Sequence, residues 1–364
     1  MGKCTTHLIP ENIMPRGAKG VGVYNDKNVK VGYVPFGRTV RPTDTPDYTF
    51  MALSDIHLTY DTANADFERA LEYAENNCDF TCICGDLTSS GTEDEMSKYA
   101  EIVLKCAVNK HVHAISGNHE NYSTRSAEYF ETKTGNPLYY SFTRGDDVFV
   151  MLGHYGGYHD GNGGWRSYEF ISMDELQWLY ETLEENRNKR CFVFNHTLPY
   201  AHGVGNPNNL YYGQNPSAAR IWTVTDGGIG QALIDLLCHY RNSILFTGHS
   251  HTRFSLQTLD PKANYGEVRL ADGRTYKSIH IPSLAVPRDI APAGSDKPLT
   301  EVYAESEGYI VEVYPDYIVL NGRDFVDNES DGHWLPIATY RIDTPLHTVE
   351  AGTFVDSTGL INTN

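Results

Sequence analysis

Apolar and polar positions change rhythm twice along this chain. Residues 1–47 are rich in Gly and Pro and carry VGVYNDKNVKVGYV, two alternating runs around a polar turn, which predict a β-hairpin extension. From Tyr48 the apolar runs become continuous. YTFMALSD, DFTCICGD, HVHAISGN, DVFVMLGH, RCFVFNH and NSILFTGHSH each read as a strand buried on both faces. Between them the period lengthens to that of helices, in ANADFERALEYAENN, TEDEMSKYAEIVLKCA, SMDELQWLYETLEEN and IGQALIDLLCHY, the third opened by a capping box from Ser172 to Glu175. Strand and helix in alternation predict a mostly parallel sheet covered by helices. The last third returns to alternating β segments: GYIVEVYPDYIVLNGRDF gives two strands around a Pro-Asp turn and IATYRIDT another, so a second sheet is expected beside the first. The expected organisation is an extension over 1–47, a main domain over 48–342 with its core over 48–257 and a C-terminal β region over 258–342, and a tail over 343–364 without a strong core pattern. Two polar, Gly-rich segments, 155–170 and 202–222, each adjoin a strand-end histidine, which marks them as candidate pocket walls or lids.

Composition narrows the function. With 364 residues and an apolar fraction of 40%, the chain can fill a sizeable core. Its net charge of −18, from 47 acidic against 29 basic residues, argues against a nucleic-acid duplex as partner, because phosphate-backbone binding relies on clustered Lys and Arg. No segment approaches the ~20 apolar residues of a membrane span, and the start MGKCTTHLIPEN has no apolar leader core, so a cytoplasmic location with no membrane partner is expected. MGKCTT matches the loose N-myristoylation pattern and is read as a chance match. The seven cysteines, Cys4, Cys78, Cys82, Cys84, Cys106, Cys191 and Cys238, are odd in number and sit mostly in apolar runs, as buried thiols do.

Candidate chemistry collects where the strands end. In chain order the ends read SDIH (Asp55, His57), GDLTSSG (Asp86), GNHE (Asn118, His119), NHT (His196) and GHSH (His249, His251). The carboxyl ends of strands in an open α/β sheet are where ligands bind, so these side chains are expected to converge. Imidazole nitrogens with hard carboxylate oxygens and no thiolate suit transition metals such as Mn, Fe or Zn. Leaving His119 aside, seven candidate ligands are too many for one ion of four to six ligands. They suffice for two ions if one carboxylate bridges them, the arrangement that polarises a phosphoryl group and activates a bridging water for in-line attack.

These blocks resemble the calcineurin-like metallophosphoesterase superfamily, whose pattern D-x-H, G-D, G-N-H-[DE], H, G-H-x-H stands here complete and in order from residue 55 to residue 251. The resemblance implies a four-layer α/β/β/α sandwich with two mixed sheets. It implies that Asp55, His57, Asp86 and His251 hold a first metal, and that Asp86 bridges to a second held with Asn118, His196 and His249. His119 is then the histidine that contacts the phosphoryl group and protonates the leaving group, and Glu120 a supporting partner. The protein Ser/Thr phosphatase branch carries G-D-x-V-D-R-G where this chain has GDLTSSG, so that branch is disfavoured. SDIHL, GNHE and GHSHTRF look closer to the bacterial cyclic-nucleotide and glycerophosphodiester phosphodiesterases. The expected function is hydrolysis of a phosphodiester in a small soluble substrate, with a phosphomonoesterase on the same site, or a scaffold that has lost the chemistry, as alternatives. Substrate contacts are sought in the two insertions and beside the site: Arg166 and Arg220 for phosphate, Trp165, Tyr211 and Tyr212 for stacking, His154 at another strand end, and more weakly His202 and Arg288. Each of these residues also suits an ordinary packing or surface role.

Overall fold

Strands that are apolar on both faces need cover on both. The computed structural model describes residues 20–24, 30–35, 45–58, 63–123, 126–154, 157–159, 165–167, 171–199, 223–224, 228–254, 266–270, 272–290, 299–301, 305–326 and 338–363. In chain order the strands are β1 (Gly20–Tyr24), β2 (Lys30–Pro35), β3 (Tyr48–Leu53), β4 (Phe80–Cys84), β5 (His111–Ile115), β6 (Tyr139–Arg144), β7 (Asp147–Leu152), β8 (Gly157–His159), β9 (Trp165–Ser167), β10 (Cys191–Asn195), β11 (Leu198–Pro199), β12 (Thr223–Val224), β13 (Ser243–Thr247), β14 (Gly266–Arg269), β15 (Thr275–His280), β16 (Arg288–Ile290), β17 (Leu299–Glu301), β18 (Glu307–Val313), β19 (Tyr317–Asp324) and β20 (Ala338–Asp343). The helices are α1 (Ala63–Asn77), α2 (Glu93–Cys106), α3 (Ser126–Thr134), α4 (Met173–Glu185) and α5 (Ile229–His239).

One sheet runs β1-β2-β20-β19-β18-β3-β4-β5 and the other β14-β15-β13-β10-β7-β6, with β8 and β9, β11 and β12, and β16 and β17 as separate two-stranded ribbons. Each sheet is mixed. β3, β4 and β5 are parallel, while β18 pairs antiparallel with β3; in the second sheet β7, β10, β13 and β15 are parallel, with antiparallel β6 and β14 at the edges. The strands β1 and β2 form an antiparallel hairpin that meets β20 through the Tyr33–Ala338 pair.

The period of two sorts the side chains into layers. Phe50 and Ala52 of β3, Phe149 and Met151 of β7, Phe192 and Phe194 of β10, and Ile244 and Phe246 of β13 point into the space between the sheets. Their neighbours point outward. Met51 and Leu53 pack beneath α1, α2 and α3, whereas Val148, Val150, Val193 and Leu245 pack beneath α4 and α5. The inner layer is aromatic: the Phe50 ring meets Phe149 edge-on at 5.3 Å, and Phe194 stacks on Phe246 at 4.8 Å. The result is the α/β/β/α sandwich of two mixed sheets that the sequence led one to expect.

The ends of the sandwich differ. At the starts of β3, β7 and β10, buried Arg190 makes a two-pronged contact with Asp147 at 3.0 and 2.6 Å and donates to Tyr314 O at 2.7 Å and to Thr344 Oγ1 at 3.0 Å. Tyr48 OH donates to the same Asp147 carboxylate at 2.6 Å. Burial, reinforced by Asp147, holds this phenol far above its usual pKa. The network ties both sheets together at the end remote from the candidate ligands.

Residues 343–363 do more than lie on the surface. Val349, Phe354 and Ile361 are buried in the outer core with α4 and α5, and Ser357 donates from both N and Oγ to Asp235 of α5. Their spacing follows no period because the segment is irregular, its backbone satisfied by side chains such as Asp235, Glu184 and Asp356. Of the seven cysteines, Cys78, Cys82, Cys84, Cys106 and Cys191 are buried free thiols and Cys238 a half-buried one, whereas Cys4 lies outside the described residues. Among the described residues no helix is long and apolar enough to cross a membrane.

Candidate metal centre

At the other end of the sandwich the strands stop abruptly. Asp55, His57, Asp86, His249 and His251 all take left-handed backbone angles, with φ of 53°, 45°, 52°, 70° and 58°. A non-glycine residue there costs roughly 1–2 kcal/mol, and such strain persists only where the surroundings over-determine it, typically at functional sites. The surroundings are backbone bonds: Asp55 N donates to Gly85 O at 3.0 Å, His57 N to Asp86 O at 3.0 Å, and Arg288 N to His251 O at 2.7 Å. Two glycines permit the crowding. A Cβ on Gly248 would fall 1.8 Å from Ser54 Oγ and 2.7 Å from Asp55 Oδ2, and one on Gly117 would fall 2.2 Å from Asp86 Oδ1.

Four of the donors are aimed by a partner behind them. Asp55 Oδ2 accepts from Ser54 Oγ at 2.6 Å and from His249 N at 2.9 Å, which leaves Oδ1 facing His251 Nε2 at 3.1 Å and the Nε2 atoms of His57 and His196 at 3.8 Å. Asp86 Oδ1 accepts from His119 N at 2.9 Å, so Oδ2 faces His196 Nε2 at 3.0 Å and His57 Nε2 at 3.8 Å. His196 Nδ1 lies 2.6 Å from Cys84 O, and His251 Nδ1 lies 3.1 Å from Val286 O. A carbonyl only accepts, so each Nδ1 carries a proton and each Nε2 faces inward. The inward nitrogens crowd one another: His57 Nε2 stands 3.1 Å from His251 Nε2, and His249 Nδ1 stands 3.2 Å from His196 Nε2.

Charge and donor type favour cations here. Burial would push Asp55 up, but His251 and His196 outweigh it and hold the carboxyl well below its usual range; Asp86 is held down in the same way by His196 and His119. Burial pushes His57 down to about 3 and lowers His249 and His251, so these imidazoles are neutral. His196 is the exception. Burial lowers it, but Asp86 and Asp55 outweigh burial and raise it to about 9. Among the described residues two groups have donor atoms within 4.8 Å of one another, namely Asp55, His57, Asp86 and His251, and Asp86, His196 and His249, with Asp86 in both. Asn118, next to Gly117, adds a buried Oδ1 with no hydrogen-bond partner. Burial keeps the nearby Cys82 and Cys84 thiols protonated, so the donor set is imidazole nitrogen and hard oxygen, which suits divalent transition metals.

His119 stands at the open side, one quarter exposed, with Nδ1 2.7 Å from Ser89 O and Nε2 3.9 Å from Asp86 Oδ2. The GDLTSSG loop thus orients this histidine through a backbone carbonyl. Glu120 latches that loop to its own: Oε1 accepts from Thr88 N and Oγ1, both at 2.9 Å, and Oε2 accepts from Gly117 N at 2.8 Å. Burial and Asp86 raise Glu120 to about 7, against the bonds from Gly117 and Thr88.

The other candidates fare differently. His154, sought as a substrate contact, is fully buried, its ring 5.5 Å from that of His196 and its Nε2 3.4 Å from Thr197 Oγ1, so it packs against the ligand layer. Arg288, weakly proposed, brackets His251 through its backbone and lowers that imidazole by charge. Trp165 and Arg166 lie on β9, paired with β8, and their side chains fall outside the described residues, as do His202, Tyr211, Tyr212 and Arg220 altogether. Ser54, Ser89 and Tyr122 contribute without having been singled out; Tyr122 alone carried a signal, an aromatic ring four positions after Asn118.

A two-sheet sandwich with buried Asp and His donors gathered at its strand ends defines a metal-binding α/β protein of the phosphoesterase type. Residues 48–253 match the model of the calcineurin-like phosphoesterase family, and the chain belongs to that family. Comparison with curated protein sequences finds no match. Among solved structures, the chain is similar to GAP50, the anchor in the inner membrane complex of Plasmodium, at 11% identity and a TM-score of 0.46, covering 84% of this chain and 90% of that one. It is also similar to the NAD nucleotidase NadN of Haemophilus influenzae, at 12% identity and a TM-score of 0.38, covering 70% and 49%. A 5'-nucleotidase precursor from Thermus thermophilus matches at 12% identity and a TM-score of 0.38, covering 82% and 54%. The matches thus span about half the length of those two nucleotidase chains.

Proposed function

We propose that the chain hydrolyses a phosphodiester in a small soluble substrate with two metal ions, one held by Asp55, His57, Asp86 and His251 and the other by Asp86, Asn118, His196 and His249. The observation that carries this reading is Asp86, whose carboxylate belongs to both buried donor groups while His119 stands partly exposed beside it. Ions in such a site polarise the phosphoryl oxygens and make water a nucleophile near neutral pH. The chain's own groups do the rest. Ser54 and the His249 amide lock Asp55 Oδ2, leaving Oδ1 for the centre. His119, with Nδ1 committed to Ser89 O, leaves Nε2 3.9 Å from Asp86 Oδ2 at the edge of the donor cluster, where it hands a proton to the departing alkoxide. That proton matters most for a diester with a poor leaving group. The net charge of −18 supports a small substrate over a duplex.

A second reading, a phosphomonoesterase, gains support from the Arg288 charge close to His251, since a dianionic phosphate needs more positive charge than a diester. Metal-stripped protein resupplied with Mn, Fe or Zn and offered a matched chromogenic diester and monoester decides between the two. Metal-dependent turnover favouring the diester is expected. Preference for the monoester moves the assignment to the phosphatase, and no turnover of either with both ions bound refutes the reading for simple esters.

A further inference from the structure

Residues His119–Tyr122 form a single 3₁₀ turn. Side chains three apart on such a turn lie one over the other, so the rings of His119 and Tyr122 come together, centroids 4.6 Å apart and tilted by 47°. Asn118 occupies the N-cap of the turn. An asparagine there ordinarily turns its side-chain oxygen onto the turn's own amides, yet Asn118 makes no such bond. Its Nδ2 donates to Tyr122 OH at 3.0 Å instead, and its Oδ1 is buried without a hydrogen-bond partner.

We propose that Tyr122 is a positioning residue for the reaction: its hydroxyl fixes which end of the Asn118 amide is offered as a metal ligand, and its ring holds His119 against the leaving group. The inference rests on the function proposed above. A side-chain amide has two ends of opposite character, and rotating that of Asn118 would turn an NH₂ toward cations. Accepting from Nδ2 keeps that group outside and commits Oδ1. For His119 the constraints come from three sides: Ser89 O at Nδ1, the His57 ring edge-on at 4.5 Å, and Tyr122. Without Tyr122 the imidazole is held on two sides and gains freedom to swing toward solvent. Tyr122 is itself 43% exposed, so it flanks the open side of the site where a leaving group departs.

Two variants of the full chain separate the roles. Tyr122→Phe keeps the ring and removes the hydroxyl, whereas Tyr122→Ala removes both. Titration of metal-stripped protein with Mn²⁺ should show Tyr122→Phe binding one of two ions about two- to tenfold more weakly, as expected for loss of one neutral hydrogen bond, with the other unchanged. Tyr122→Ala should lose turnover unequally. A diester with an alkyl leaving group, which needs the proton from His119, should slow about tenfold or more, and one with a 4-nitrophenyl leaving group, which does not, should change little. A residue of merely structural importance would slow both alike. Wild-type affinity for both ions in Tyr122→Phe, or equal losses on the two esters in Tyr122→Ala, overturns the proposal. If wild type cleaves neither ester, the functional reading fails, and the Mn²⁺ titration still decides the part that concerns Asn118.

Discussion

Replacing Gly117 by alanine adds one methyl group where the molecule has no room for it. The backbone at Gly117 is open to any residue, in contrast with Gly85 at φ 85°, so the whole effect is collision. The new Cβ would lie 2.2 Å from Asp86 Oδ1, 2.5 Å from Asp86 N and 2.9 Å from Asp86 Cγ. Non-bonded carbon contacts relax only at about 3.5 Å, so the GNHE and GDLT loops must part by roughly 1 Å. Rotating the Asp86 side chain offers no escape, because the backbone nitrogen is struck as well, in a residue already at φ 52° with Oδ1 holding the His119 amide. Overpacking of this kind costs about 1–3 kcal/mol of stability, whereas a displacement of about 1 Å among reacting groups can cost 100-fold in rate. Gly117→Ala should therefore stay folded, bind its second ion poorly and lose roughly 100-fold in kcat/KM. Metal content by mass spectrometry, steady-state kinetics and a melting curve of metal-free protein check the three parts. Full metal content with kcat/KM within about threefold of wild type would refute the close-approach argument.

The opposite result is expected at the other pole, where Asp147→Ala strands the buried Arg190 charge. About 3–5 kcal/mol of stability should disappear from denaturant melts while kcat is unchanged below the transition, and Asp147→Leu with Arg190→Met should recover much of the loss. His119→Ala should retain both ions and lose roughly 10²–10⁴ in kcat; a variant that lost metal instead would show the ring to be a ligand. Chelation should lower the melting temperature as well as activity, since an ion bound at ~1,000 times its Kd adds about 4 kcal/mol. Melting that is indifferent to chelator would argue against metal in the buried donor groups.

The layers were legible because burial on both faces leaves a mark: YTFMAL, CFVFN and SILFT carry the unbroken apolar runs FMAL, CFVF and ILF, with polar residues only toward their ends. The site was legible in its residues and obscure in its geometry. Nothing in the letters of Asp86 or His249 announces a left-handed backbone, since aspartate and histidine adopt it only where neighbours compel them; the adjacent Gly85 and Gly248 were the readable trace. Ser89 escaped notice because it acts through its carbonyl, which every residue has. His154 stayed ambiguous between lining the site and packing behind it. It ends a strand as the others do, but β7 sets it behind His196, and depth is not written in a strand-end pattern. The burial of Val349, Phe354 and Ile361 was hidden by their irregular spacing.

The donors also arrive on a schedule. Asp55, His57 and Asp86 lie early in the chain, but the nitrogen that closes their group belongs to His251, 194 positions beyond His57. At synthesis rates of ~5–20 residues per second, the ribosome delivers that nitrogen on the order of ten to thirty seconds after Asp86. Until then the nascent chain offers a partial set of ligands with lower affinity, and the second group likewise waits for His249. The complete donor set therefore exists only once β13 has docked between β10 and β15, so an ion that needs every one of these donors would bind only after the sheet carrying β13 has formed.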